Sequence, residues 1–220
     1  METDWSWLGP EIVESIKQTL YMVSVSFLFA ILIGIPLGII LVLTRENGIL
    51  PNKLIFSILN VVINIFRSIP FIILIVAIIP FTRLIVGTSI GTTAAIVPLV
   101  IFTAPYIGRL AENSLLEIDR GVIELAQAMG ATNWQIIWKF LLPEALGSLI
   151  LSLTIAFIGL VGASAMAGAV GAGGLGDLAI TYGYQQFKPF VMLLTVVLLV
   201  VFVQIVQSLG NYLAKRIRRH

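Results

Sequence analysis

The side chains able to do chemistry are few and fall in a handful of places. Asn60, Asn64 and Arg67 recur at i, i+4 and i+7, which puts them on one helix face, with Pro70 loosening the helix just beyond. An arginine inside an apolar run is expensive to insert, so Arg67 must meet water or a partner. Two roles are open for it. It can line a solute pathway near an inner gate and attract a substrate carboxylate, or it can snorkel to the headgroups or pair with Glu112 or Glu117. Gln204, Gln207, Ser208 and Asn211 make a second polar face, suited to interhelical hydrogen bonding or to gate lining. Met166, Tyr182 and Tyr184 offer polarizable and aromatic contacts to a ligand, and packing accounts for them equally well. Asn64, Arg67, Met166 and Gln204 are therefore the candidate pathway residues.

Other chemistry is excluded by what is missing. Cysteine is absent, which removes thiol catalysis, disulfides and thiolate metal sites. The lone His220 and the scattered carboxylates form no acid/base or metal-ligand constellation. No GxxxxGK[ST] occurs, so the chain carries no phosphate-cradling loop of that type and nucleotide chemistry must come from another chain. Gly171, Gly173 and Gly176 in GAGGLG match a dinucleotide pattern, but no strand precedes them. A flexible glycine-rich loop at an outer mouth, serving as a docking surface, is one reading; close helix packing through Ala163, Ala167 and Gly171 is the other.

These residues are set in a chain that is 59% hydrophobic and only 11% charged, with a mean hydropathy of +1.06. Soluble domains carry roughly a quarter charged residues, so a water-soluble fold is excluded. Charge-free runs at 18–44, 84–108, 145–176 and 189–214 each exceed the roughly 20 residues that cross a bilayer. A fifth hydrophobic stretch, 54–82, is interrupted by Arg67 and Pro70 and reads as one tilted or broken span with an amphipathic lead-in. The runs are continuous rather than alternating, so helices are expected and not barrel strands. The expectation is an all-α polytopic domain over 1–220, with five spans near 19–44, 58–82, 87–108, 147–170 and 189–212. Gly34 and Gly38 around Pro36 predict a close helix contact with a kink in the first span.

The acidic N-terminus has neither a basic n-region nor a small-residue cleavage pattern, so the first span is expected to remain in the mature chain. Trp5 and Trp7 suit an interfacial anchor. Arg45, Lys53, Arg109, Arg120, Lys139, Lys215, Arg216, Arg218 and Arg219 gather on one side, against Lys17, Arg83 and Lys188 on the other. This asymmetry predicts a cytoplasmic C-terminus and, with five spans, an outside N-terminus. The formal charge of +2 comes from a membrane-flanking tail and carries no nucleic-acid signal.

On the cytoplasmic side lies a charged connection, 118–143, too long for a simple turn. Asp119 is an expected N-cap, with Ile118 and Ile123 as its hydrophobic staple. Val122, Leu125, Ala126 and Met129 fall on one face. Gly130 ends that helix where a left-handed residue is needed. Thr132 with Gln135 predicts a capping box for a second helix carrying Trp134, Ile137, Phe140 and Leu141 and stopping at Pro143.

The spacing of Glu124, Ala126, Gly130 and Leu142-Pro143 resembles the "EAA" motif of bacterial ABC importer permeases. In that family the first short helix is a coupling helix seated in a groove of the cytoplasmic ATPase. The family pattern has a second alanine and an isoleucine where this chain has Leu125 and Phe140. The stretches Asn64 to Gly91, LLEIDRGVIE, and Ser164 to Gln185 look like the methionine-uptake branch of the family, and the likeness spans nearly the whole chain. The resemblance implies a type I ABC importer permease fold in a bacterial inner membrane and a homodimer around a central pathway. It assigns ATPase coupling to Glu124, Ala126, Met129, Gly130, Leu142 and Pro143. The implied partners are a second copy of the chain, a homodimeric ABC ATPase that binds ATP and Mg, an extracytoplasmic methionine-binding protein and membrane lipid. No cofactor is expected in this chain.

Overall fold

The computed structural model describes residues 6–217, and among these every regular element is helical. Trp5, Arg218, Arg219 and His220 lie outside the described residues. Helix α1 runs Leu8–Thr44, α2 Lys53–Ser68, α3 Phe71–Ala77, α4 Ile79–Val86 and α5 Thr92–Leu116. There follow α6, Arg120–Ala128, and α7, Asn133–Gln135, which passes through a π-helical stretch, Ile136–Leu141, into α8, Leu142–Gly168. A short α9, Gly174–Leu178, continues as a π-helical stretch, Ala179–Gln185, and α10 spans Pro189–Ile217.

Among the described residues four helical stretches are long and apolar enough to cross a membrane: Leu8–Thr44, Thr92–Leu116, Asn133–Gly168 and Pro189–Ile217. The pair α2 and α3, bent by 102°, makes a fifth if it is counted as one broken span. Of the two forms expected for this stretch, tilted or broken, the bent one is found. Pro70 has no N–H for the ladder and disfavours helical backbone at Ile69, so the axis turns there. The first helix also begins earlier than the expected 19, because Glu11, Glu14 and Lys17 sit on a helix that continues beyond the charge-free run. At 37 residues it measures about 55 Å, longer than a hydrocarbon core of about 30 Å.

The chain divides into two compact units. One is built from the segments ending at Phe29, Ile69–Phe102 and Phe157–Ile205. Its core gathers Met22, Val23, Phe71, Leu99, Leu160 and Ala167, edged by Phe27, Phe157 and Phe202. Phe157 meets Phe27 edge-on with centroids 4.9 Å apart. The other unit is built from Ala30–Ser68, Thr103–Ala156 and the segment from Val206. In it Gly34 and Gly38 of α1 lie so close to Ala104, Ile107 and Ala111 of α5 that a Cβ at either would collide. The expected close contact is made there, and Pro36 lies inside a continuous helix.

Candidate functional site

The segment that follows α5 is built from local signals. The Asp119 carboxylate accepts from the Gly121 N–H at 2.6 Å and caps α6. Ile118 and Ile123 pack on a core of Val42, Ala111, Leu115, Leu141, Ala145 and Leu149, which fixes how α6 leaves the bundle. Gly130 closes the helix at φ +76°, a left-handed conformation that costs a side-chain-bearing residue roughly 1–2 kcal/mol. The Ala131 N–H donates to the Ala126 carbonyl at 3.0 Å, completing the C-terminal cap. Thr132 and Gln135 then form a reciprocal capping box, at 3.3 and 2.9 Å.

Along the face Val122, Leu125, Ala126 and Met129, Ala126 is fully buried while Leu125 and Met129 are 60% and 62% exposed. Trp134 also stands out, with its ring 5.4 Å from that of Trp138, while Ile136, Ile137 and Leu141 turn into the core. One expectation for this segment is corrected: the second helix does not stop at Pro143. It continues to Gly168, because the π-helical turn ahead of the proline widens the ladder. The Leu142 N–H bonds to the Ile137 carbonyl, five residues back, which relieves the crowding a proline imposes on the preceding turn.

The result is a nine-residue helix anchored by Ala126 and its staple and presenting Glu124, Leu125 and Met129 outward. Beside it a cavity of 530 Å³ is lined by Arg45, Asn47 and Ile49 of the α1–α2 connection, by Arg120, Glu124 and Gln127 of α6, and by Leu115, Ile118 and Leu141. Charged groups and an apolar wall share this space, an arrangement suited to side chains of an interacting protein. Leu142 is half-buried against the core, and Pro143 is exposed.

Asn60 and Asn64 do share a face, yet their partner is Arg109 and not Arg67. One guanidinium nitrogen of Arg109 meets Asn60 and, at 3.0 Å, Asn64; the other pairs with Glu112. Glu112 is 2% exposed, and Arg109 Nε is buried with no partner among the described residues. Arg67 lies in the last turn before the bend and is exposed; it pairs with neither Glu112 nor Glu117, since the first binds Arg109 and the second Ser148. The sequence signal for the cluster was Arg109 followed three residues later by Glu112, a helical ion-pair spacing at the edge of a charge-free run.

Met166 and Gln204 are both exposed, as is Tyr184, whereas Tyr182 stacks on Trp7 with centroids 4.7 Å apart. Lys188 places its ammonium 4.3 Å from the Trp7 ring. Gln207 donates to Asn211 at 3.1 Å along its own helix. The glycine-rich turn is pinned: Gly174 N–H donates to Gln18 Oε1 and Leu175 N–H to Thr19 Oγ1, both at 2.8 Å. With Ala163 and Ala167 buried and Gly171 exposed, the loop is a tied turn beside close helix packing.

A family model described as "binding-protein-dependent transport system inner membrane component" matches residues 30–219. The chain is 50% identical over 212 residues to the probable D-methionine transport system permease protein MetI of Pasteurella multocida, covering 96% of each. Against the protein described in the same words from Vibrio cholerae serotype O1 it is 54% identical over 200 residues, 91% of this chain and 89% of that one. Among solved structures it is similar to a chain of the MetNI methionine ABC transporter in inward-facing conformations, with a TM-score of 0.94, 49% identity and 99% of both chains covered.

Proposed function

This chain belongs to the family of binding-protein-dependent transport system inner membrane components, and we propose that it is the permease subunit of an ATP-driven importer carrying methionine inward. The methionine assignment is supported by relatives at half identity over almost their whole length that bear that substrate in their names. The observation that carries the coupling role is the α6 segment. A nine-residue helix, capped at both ends and seated on Ala126, holds Glu124, Leu125 and Met129 clear of the chain's own core. Exposed apolar side chains beside a carboxylate on a rigid short helix suit a surface that another protein covers.

In this reading, α6 seats on an ATPase partner, and the cavity beside it receives partner side chains between Arg45, Arg120 and Glu124. Glu124 bonds to partner backbone or basic groups. Leu142 and Pro143, at the root of α8, carry the motion into that span. Two copies of this chain meet two ATPase subunits, which supply ATP and Mg, because this sequence has no Walker-type loop. Hydrolysis then moves the ATPase as a rigid body, and α6 hands that displacement to α5 and α8. The N-terminus faces outward and the C-terminus the cytoplasm, following the Lys and Arg distribution. A separate binding protein delivers the substrate, with the tied glycine turn offering part of its docking surface. Along the pathway Asn64, Arg67, Met166 and Gln204 line the route, Arg67 attracting the substrate carboxylate.

The test is uptake of labelled L-methionine into proteoliposomes holding this chain, its ATPase partner and the binding protein, with and without internal ATP. Uptake that requires ATP and is blocked by unlabelled methionine, but not by other amino acids, is the expected result. ATP-dependent uptake of another solute with none of methionine would discard the substrate and keep the importer.

A further inference from the structure

Between the helix that enters the α6 segment and the helix that leaves it runs a chain of polar groups that the coupling role above does not use. Ser114 of α5 lies 2.8 Å from Ser152 of α8, Ser148 of α8 lies 3.3 Å from Ser114, and the Ser148 hydroxyl donates to Glu117 Oε2 at 2.6 Å. Ser114 is 1% exposed, whereas Glu117 is exposed, so the chain runs from the core of its unit out to a carboxylate two residues before the Asp119 cap. Ser148 and Ser152 stand one turn apart on α8, facing Ser114 and Glu117 one turn apart on the other side. Ser148 shares its one hydroxyl hydrogen between two acceptors; the short, charge-assisted bond to Glu117 takes the larger share, and the contact to Ser114 is the looser one.

The arrangement sits where a lever needs stiffness. Nine residues of α6 are too few to hold an orientation by their own hydrogen bonds. The apolar seat under Ile118 and Ile123 resists separation, but hydrophobic contact is non-directional and does little against sliding. Hydrogen bonds between facing turns of two helices do fix register, since a slip of one residue breaks them. They also join residue 117, where the chain leaves α5 toward α6, to residue 148, inside the helix α8 that follows the segment.

We propose that Ser114, Glu117, Ser148 and Ser152 form a register lock, positioning residues that make α6 and its two flanking helices move as one body. Displacement imposed on α6 is then passed on and not absorbed where the segment joins those helices. The inference rests on the importer reading and names the residues that make its coupling stiff.

The experiment uses the whole complex in proteoliposomes and reads two quantities: substrate transported per ATP hydrolysed, and the width of the distance distribution between spin labels at Gln127→Cys and Ile155→Cys. The second is accessible because the chain has no native cysteine. Ser148→Ala is expected to retain ATP hydrolysis, to lower transport per ATP at least about five-fold, the low end of coupling between sites, and to broaden the label distances. Ser148→Thr, which keeps the hydroxyl, restores both. Glu117→Gln, which keeps an acceptor without its charge, falls between and serves as the second variant if Ser148→Ala does not assemble. Unchanged transport per ATP with unchanged label distances in Ser148→Ala would overturn the lock, as would a Ser148→Thr variant that behaves like the alanine. Failure of the importer reading is visible separately, as absence of ATP-dependent uptake by the unmutated complex, while the label distances still report on the lock.

Discussion

The α6 segment and the glycine-rich turn ahead of α9 are both held from a distance, but by different kinds of bond. At the turn, side chains of α1 reach backbone: Gln18 and Thr19 accept from the N–H groups of Gly174 and Leu175. Around the segment, side chain meets side chain: Arg109 with Glu112, Asn60 and Asn64, and Ser148 with Glu117 and Ser114. A bond to backbone fixes the shape of a turn and leaves its side chains free for another task. Bonds between side chains join whole helices and leave the connecting backbone to its own caps. The first suits a surface that must keep a shape, the second a part that must move without bending.

That contrast can be broken at either end. The largest effect is expected at Arg109→Ala, which strands the Glu112 carboxylate in an apolar interior. Removing one partner of a buried pair costs about 3–5 kcal/mol, so thermal unfolding in detergent should move down sharply. Replacing both residues by leucine should recover much of that loss, and a double variant as unstable as the single one would show that the pair does more than neutralise itself.

Gly130→Asp comes next and sharpens the functional side. The site has open space for a Cβ, so only the backbone φ of +76° and the new charge act. The fold should survive the roughly 1–2 kcal/mol of strain, with the chain inserted and ATP hydrolysis retained but uptake uncoupled from it. Transport at the unmutated level would remove the coupling role. Arg67→Ala tests the pathway reading: a lower apparent affinity for substrate is expected, and unchanged affinity and rate would leave Arg67 a headgroup residue.

The smallest effects belong to single bonds between a side chain and the backbone. Gln18→Ala should cost about 0.5–1.5 kcal/mol, the net worth of its bond to Gly174, its other bond, to Glu14, being long and exposed; this is seen as a small shift in unfolding with ATP hydrolysis unchanged. Asp119→Ala should cost about 1 kcal/mol as a lost cap and, unlike Gln18→Ala, should lower transport. Equal effects of the two on transport would erase the distinction between the regions.

Much of this was legible in the chain because it is local. The Asp119 cap, the Thr132 and Gln135 box and the left-handed Gly130 each depend on residues within a few positions. The spans were readable because lipid imposes length and apolarity on them directly. What escaped is non-local or is a local rule overridden. Pro143 reads as a stop, and only the π-helical turn before it, set by packing of Ile136, Ile137 and Leu141 in the core, lets the helix run on. The partners of Asn60 and Glu117 lie 49 and 31 residues away, beyond any periodicity. Arg67 keeps the helical register of Asn60 and Asn64, since α2 runs to Ser68, but the cation that binds the two asparagines is Arg109 of α5, which no periodicity within α2 can reveal.

The central claim is that α6 is the surface through which the ATPase partner drives the spans. The absence of native cysteine makes it directly testable with Met129→Cys, an exposed position on the segment, and with Leu84→Cys, an exposed position on α4, as the control. A short bifunctional thiol reagent applied to the complex with single-cysteine ATPase variants should give a permease–ATPase adduct from Met129→Cys, altered by adding ATP, and none from Leu84→Cys. No adduct from Met129→Cys with any ATPase position, in a complex that still transports, would contradict the account.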